Sequence, residues 1–314
     1  MFKKEKNSNL ISKNTLRKIK KQVKGITLIA LVVTIIVLLI LAGVAINLTI
    51  GQNGLFTRAQ DAREITEKEK IREEIELAIG GDNIGKYMDE NGSLEEELNK
   101  IDGATITKVG KDVYYVEKDG YTYTVYDDGT IEDEKIDIWD GEKIEKPEVD
   151  EQGNWHIYTT GQMKYFADYC NDSLTEEEKT EANMPEIVDT TIVYLENDLD
   201  MGARQKDGVL VSGIKWTPIN MRKGTFDGKE HYISGIYVQT QNSGGTGLFG
   251  GFYAKKIQNI TIKNSYIESS KDKVGGICGA TFGDISNCHN VNTTVKCSKE
   301  VSDVGGIVGV FLRI

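Results

Sequence analysis

The chain has 314 residues and a formal charge of −11, with 33 glycines, three prolines and 39% hydrophobic residues, so it can hold two modest domains besides a membrane segment. Charge is unevenly placed: residues 1–24 hold nine Lys or Arg against one acid, Glu5, which leaves −19 on residues 25–314. So acidic a remainder repels polyanions, and no nucleic-acid partner is expected.

In chain order, the first element is the run 26–46, without an ionisable group and with only Thr27 and Thr34 as polar interruptions. As a helix it is about 31 Å long, enough to cross the hydrocarbon core of a bilayer, and membrane lipid is its expected partner. The basic stretch before it stays cytoplasmic by the positive-inside bias, so the residues after 46 are expected outside the cell on a single-pass protein. Gly43-Val44-Ala45 offers a small-x-small step for a signal peptidase, but the apolar run exceeds the usual length of a secretory signal core, about 7–15 residues.

The boundary itself reads Lys20-Lys21-Gln22-Val23-Lys24-Gly25-Ile26-Thr27-Leu28-Ile29-Ala30-Leu31. This resembles the N-terminal signature of type IV pilins and pseudopilins: a basic leader, a glycine, then an apolar helix. The resemblance implies that a prepilin peptidase cuts after Gly25 and methylates the new N-terminus at Ile26, with other pilins or pseudopilins as further partners. A glycine suits the cut, since without a side chain the backbone can be approached closely. Two positions depart from the family. Ile26 replaces the usual Phe, and Ala30 stands where the family has Glu, the residue that pairs with the N-terminal amine of a neighbouring subunit. Losing that carboxylate eases residence in lipid and removes the charge pair that draws a subunit into a fibre. Processing is therefore more strongly implied than polymerisation.

A charged helix is expected over 55–79, its apolar residues Leu55, Ala59, Ala62, Ile71, Ile75 and Ala78 at mostly helical spacing and Gly80-Gly81 as its stop. Strands follow at 105–109, 113–117 and 121–126, with Asp119-Gly120 as a hairpin turn, and a short strand at 130–132 after Asp128-Gly129. A small antiparallel sheet packed on the helix results, the plan of a pilin head. The acidic run 132–152, with Pro147, reads as a linker.

A short helix is expected within 157–169 after Thr159-Thr160, then an acidic helix or loop at 174–182. Beyond residue 190 the chain becomes repetitive. Gly247-Leu248-Phe249-Gly250, Gly276-Ile277-Cys278-Gly279 and Gly306-Ile307-Val308-Gly309 recur at a nearly constant interval. Between them Ile233-Ser234-Gly235-Ile236, Ile257-Gln258-Asn259-Ile260 and Ile285-Ser286-Asn287-Cys288 recur at a similar one. Short β stations separated by Gly, Asn and Ser, at a period of about 30 residues, suit the coils of a right-handed parallel β-helix, which stacks Ile on Ile and turns at Gly and Asn corners. Asn at equivalent corners would form a side-chain ladder. A β-sandwich would instead show hairpin turns every 8–12 residues or so.

Trp216-Thr217-Pro218-Ile219, Thr225-Phe226-Asp227-Gly228-Lys229-Glu230-His231-Tyr232-Ile233-Ser234-Gly235-Ile236 and the Gly247 to Gly250 motif resemble glycine-rich repeat domains of the GLUG type. Tyr194-Leu195-Glu196-Asn197-Asp198-Leu199-Asp200 fits the stretch before such repeats, and Ile157-Tyr158-Thr159-Thr160-Gly161-Gln162-Met163 the helix that opens them. This resemblance covers about half the chain and implies a secreted or surface-bound bacterial protein, adhesin-like in some members, with no assigned catalytic residues.

The expected organisation is a basic leader (1–25), a transmembrane helix (26–46), an α+β pilin-like region (47–132), an acidic linker (133–154) and an all-β repeat domain (155–314). Phe311-Leu312-Arg313-Ile314 falls inside a third glycine-rich repeat, so the last coil reads as truncated or as completed by a partner. Function is expected to be adhesion or contact with a glycan or a host or cell surface, without a cofactor and without catalysis. One alternative is a minor pseudopilin of a secretion or DNA-uptake system. Another is a polysaccharide lyase or hydrolase using Asp198, Asp200 and Asp227 with Lys229 and His231, although Asp227-Gly228 is also ordinary turn chemistry. Gly245-Thr246-Gly247-Leu248-Phe249-Gly250 has the spacing of a dinucleotide loop but no helix to follow it, and reads as a repeat corner. Cys170, Cys278, Cys288 and Cys297 form no Cys-x-x-Cys pair, the three histidines are too scattered for zinc, and the three later cysteines read as small buried hydrophobes.

Overall fold

A computed structural model describes residues 28–50, 55–87, 93–110, 113–175, 177–178, 184–241, 244–300 and 302–312. It divides into two compact units, Met1–Ile71 and Arg72–Ile314. In the first, helix α1 spans Leu28–Ile50, 23 residues, and its side chains are described from 29 to 42, all of them exposed. Among the described residues no helix is long and apolar enough to cross a membrane. Gly25 and Ile26 lie outside the described residues; Ala30 is an exposed position of α1.

Helix α2, Leu55–Tyr87, starts in the first unit and ends in the second. Within the second unit it buries Ile75, Ala78, Ile79 and Asp82, one face at helical spacing. The stop expected at Gly80-Gly81 is overridden, since the helix runs past Ile79 and on to Tyr87. Each glycine costs about 1 kcal/mol in a helix, a penalty and not a barrier. Burial of Ile79 and the Asp82 to Lys86 ion pair at 2.8 Å offset it, Lys86 also reaching Asp127 at 2.8 Å. Gly81 has a packing role: a Cβ there would meet Glu97 Oε2 at 3.0 Å. Glu97 belongs to the short helix α3, Leu94–Leu98, capped by Ser93.

The antiparallel sheet forms as expected, in the order β1 (Thr105–Gly110), β2 (Val113–Lys118), β3 (Tyr121–Tyr126), β4 (Ile131–Glu132). The β2–β3 turn places Asp119 at φ 52 and Gly120 at φ 85, both left-handed, as a two-residue hairpin demands. Val113, Val116, Tyr123 and Val125 are buried, and Lys118 pairs with Glu74 of α2.

The stretch expected to be a linker contributes strands. Asp137–Ile138 pairs in parallel with Leu199–Asp200, and Glu148–Val149 pairs antiparallel with Trp155–Ile157. Acidic and turn-rich composition signalled exposure, yet inward-facing Ile136 and Trp139 anchor the segment, Trp139 edge-on to Trp216 at 5.6 Å between ring centroids.

From Trp155 onward the chain is a parallel β-solenoid of about four turns. Its first face aligns Ile192, Thr225, Lys256 and Asp284, one from each successive coil. Trp155, Val193, Phe226, Ile257 and Ile285 share one inward row, because alternate residues of a strand face alternate sides. Further parallel ladders align Tyr237, Tyr266 and Thr294, then Phe249, Cys278 and Val308. Helix α4, Thr160–Cys170, lies against this core through Met163, Tyr165, Phe166 and Ala167 and is opened by a capping box of Thr159 and Gln162. Part of the acidic stretch 174–182 lies outside the described residues.

The glycine-rich motif stacks on itself as expected, while the isoleucine motif is out of phase. Ile257 does align with Ile285, but Ile233 pairs with Ile262, and the partner of Ile257 is Phe226. Each coil has two similar corners, and the shorter spacing between Ile233 and Ile257 joined one to the other. At the first corner Asn259 and Asn287 (φ 54 and 49) are linked by Asn287 Nδ2 donating to Asn259 Oδ1 at 3.0 Å. At the second, Gly235, Asn264 and Asn292 (φ 62, 51 and 47) align, with Asn292 Nδ2 donating to Asn264 Oδ1 at 2.7 Å. These are the expected ladders; Asn tolerates a left-handed backbone better than other residues with a Cβ.

One hairpin interrupts the coils. Arg204–Lys206 and Val209–Ser212 pair antiparallel around Asp207-Gly208, a turn the sequence reading passed over. The hairpin reaches along the stack: Gln205 Nε2 donates to Asn292 O at 2.6 Å and Thr294 Oγ1 donates to Gln205 Oε1 at 2.6 Å. All four cysteines are free; Cys278 aligns with Phe249 and Val308, Cys288 with Ile260, and Cys297 with Ser269.

Candidate functional site

Because Trp155, Ile157, Val193, Leu195, Phe226 and Ile257 point inward, their neighbours must point out. His156, Tyr194, Asp227, Gln258 and Ser286 form one outward row across five strands. At its N-terminal end lies a polar cluster. His156 Nδ1 is 2.7 Å from Glu196 Oε1 and Nε2 is 3.3 Å from Asp150 Oδ2, while Lys229 Nζ donates to Glu196 Oε2 at 2.6 Å. The imidazole stacks on Tyr194, ring centroids 5.1 Å apart and 28° between planes. Burial disfavours the charged form of Glu196, but hydrogen bonds from Lys229 and His156 outweigh it and hold the carboxyl below its ordinary value. Glu196 in turn raises Lys229. Asp150 is drawn down to about 2, chiefly by the Asn154 side chain, whose Nδ2 donates at 2.9 Å.

The carboxylates singled out for the enzymatic alternative belong to separate networks. Asp200, 1% exposed, accepts from Arg204 Nη1 at 3.0 Å, Arg204 Nη2 at 2.9 Å and the Gly202 amide at 2.8 Å. Arg204 also lies over the Tyr126 ring at 4.9 Å, joining antiparallel sheet and solenoid. Asp227 accepts from Lys229 N at 3.0 Å, Gln258 Nε2 at 2.7 Å and Asn259 Nδ2 at 2.9 Å, the corner chemistry its sequence suggested. Asp198 Oδ1 is 3.0 Å from His231 Nδ1 and accepts from the Tyr232 amide at 2.9 Å. Nearby Glu134 is raised, by burial first and then by the charges of Asp198 and Glu132. These donors hold corners of the solenoid.

The Cys278 and Cys288 thiols are poor nucleophiles: burial pushes Cys278 up to about 12 and raises Cys288 as well. Gly245, Gly247 and Gly250 precede and enter a strand, Phe249–Phe252, so no helix N-terminus faces that loop. Among the described residues no group of three or more His, Cys, Asp or Glu could hold a metal ion. Asp150, His156 and Glu196 escaped the sequence reading. The alternation Trp155-His156-Ile157 already placed His156 outward, but its partners become visible only once Trp155 is registered against Val193.

Fold and surface together define a β-solenoid joined to a helix-backed antiparallel sheet, its outer faces paved with amide, hydroxyl and charged side chains. No family model matches the chain, and neither a curated protein nor a solved structure gives a significant match.

Proposed function

We propose that the chain is a membrane-anchored, pilin-like surface protein whose solenoid makes contact with glycans or cell surfaces. The observation that carries the anchor is α1: large apolar side chains from Ile29 to Leu41 are 46–75% exposed around the helix, with no polar face to turn toward water. A helix that is apolar all round suits lipid as its solvent. The basic stretch before it and the pilin-like step at Gly25 and Ile26 support cytoplasmic entry and processing by a prepilin peptidase, with GLUG-type repeats beyond. Ala30 supports a lone anchor over a fibre subunit, since there is no carboxylate to pair with a neighbour's N-terminus.

The solenoid supports a binding role over catalysis. Asp200 and Asp227 are committed to donors that build corners, and the outer rows repeat polar groups once per coil. Mass spectrometry of the protein from cell membranes tests the anchor: a mature chain beginning at Ile26 is expected, and Gly25→Leu should retain the leader. Met1 intact on a lipid-free protein would overturn it. The helix-backed sheet also favours a second reading, a minor pseudopilin; recovery in sheared filaments only after Ala30→Glu would support the lone anchor, and recovery of the wild type would support the pseudopilin.

A further inference from the structure

The third solenoid sheet consists of Tyr237–Thr240, Tyr266–Ser269 and Thr294–Cys297 in parallel register. Val238 and Ile267 face the core, so Gln239, Glu268 and Lys296 form an outward row. Along this face lies an open groove of about 510 Å³, lined by Lys215, Gln239, Gln241, Glu268, Ser270 and Ser298.

The groove floor is internally satisfied. Tyr237 Oη donates to Gln239 Oε1 at 3.1 Å, Gln239 Nε2 donates to Glu268 Oε2 at 3.2 Å, and Tyr266 Oη donates to the same oxygen at 3.1 Å. Lys296 Nζ stands 4.0 Å from Glu268 Oε1 and 4.6 Å from the Tyr266 ring centroid. The one carboxylate of the groove is thus neutralised, and its tyrosine rings are covered by each other and by a lysine.

What remains facing outward is cationic and hydroxylic. Lys299 is paired with Asp272 at 3.4 Å, whereas exposed Lys215 and Lys271, the latter next to Ser270, have no ion-pair partner among the described residues. Lys215 in the lining and Lys271, Lys296 and Lys299 beside it, against Glu268, Asp272 and Glu300, leave one positive charge in excess, on a chain that carries −19 beyond its leader. This local inversion is a site-sized exception to the general repulsion of anions. Gln241, Ser270 and Ser298 recur once per coil, and adjacent strands lie about 4.8 Å apart, on the order of one sugar ring in an extended polysaccharide.

We propose that this groove binds an anionic, uronate-bearing glycan laid along the coil axis, its carboxylates against Lys215 and Lys271 and its hydroxyls against Gln241, Ser270 and Ser298. Nucleic acid fits less well: two free cations make a poor phosphate track, and the tyrosine faces are not open for base stacking. The proposal rests on the glycan-contact reading of the solenoid and adds to it the ligand's charge and place.

The test is calorimetry with the full chain in detergent micelles and three probes: oligogalacturonate, its methyl ester, and a single-stranded DNA oligomer of matched charge. Binding to the free acid with little to the ester is expected. Lys215→Ala and Lys271→Ala should each weaken it about tenfold, the loss of one hydrogen bond to a charged group, while Lys299→Ala, already paired with Asp272, changes it less. Equal affinity for DNA would overturn the site as bare electrostatics. Equal affinity for acid and ester, unchanged in both lysine variants, would overturn the anionic groove and leave glycan contact standing. Binding to none of the probes by a protein still found on the cell surface would remove the uronate assignment without touching the anchor. Oligogalacturonate shortened in the same mixtures would overturn pure binding in favour of a lyase or hydrolase.

Discussion

In the antiparallel sheet β1–β4, each strand pairs with the strand next to it in sequence, and the β2–β3 reversal takes only two residues, Asp119-Gly120. In the solenoid each residue's ladder partner lies roughly a whole coil away: Thr225 pairs with Ile192 and with Lys256. Both regions use left-handed corner residues, but their surroundings differ. A Cβ on Gly120 would meet nothing within 4 Å, whereas one on Gly235 would meet Asp200 Oδ1 at 2.5 Å and Ala203 N at 3.0 Å. A hairpin corner projects into solvent. A solenoid corner is a packed layer with another corner above and below it, so sequence errors there propagate along the stack.

The comparison is broken hardest at the inward row. Phe226 is fully buried, with ring centroids 5.9 Å from Phe166 and 5.3 Å from Phe249. Phe226→Ala should cost about 3–5 kcal/mol. Amide hydrogen exchange should then lose protection across Ile192–Leu195 and Lys256–Lys263 while β2 and β3 keep theirs; joint loss would show that the two regions open as one. Next comes the paired test of corners. Gly235→Ala is expected to cost about 3 kcal/mol and Gly120→Ala about 1 kcal/mol in denaturant melts, because strain is common to both and the clash belongs to the first alone. Equal costs would refute the packed-corner contrast. Asn287→Ala, which removes one rung of the ladder to Asn259, should lose about 1 kcal/mol.

The smallest effect is in pH. Asp150 has its folded pKa lowered from 3.8 to about 2, so the stability it contributes is fully present above pH 3.8 and is lost as the pH falls toward 2. Glu196, also lowered, adds to the loss in the same direction below its ordinary range. Acid should therefore loosen the Trp155–Ile157 edge of the solenoid, and Asp150→Asn should flatten that acid dependence, as read by exchange at 155–157. An unchanged acid profile in the variant would remove Asp150 from the explanation.

Local signals were legible wherever neighbours in sequence are neighbours in space. Asp119-Gly120, the strand at 121–126 and the short helix after Thr159-Thr160 all fold as read. The repeat was legible too, since Gly276 and Gly306 mark the same corner in successive coils. What failed depended on layers the sequence does not order. Gly80-Gly81 looked like a stop because burial of Ile79 and Asp82 was invisible. Ile233 and Ile257 looked equivalent because two corners of one coil share a pattern. The acidic segment looked like a linker because Asp137–Ile138 finds its partner far along the chain, at Leu199. The cluster of Asp150, His156 and Glu196 was hidden for the same reason, and so was the groove, whose members come from four successive coils.

The hairpin at 204–212 changes how the stack can come apart. A pile of layers touching only their neighbours frays from its open end, one layer at a time. Here Gln205 grips Asn292, 87 positions further along the chain, so the coil that carries Asn292 cannot lift away unless a much earlier one lets go as well. Drag on that coil is thereby shared across the pile, and gradual unravelling becomes a single abrupt failure.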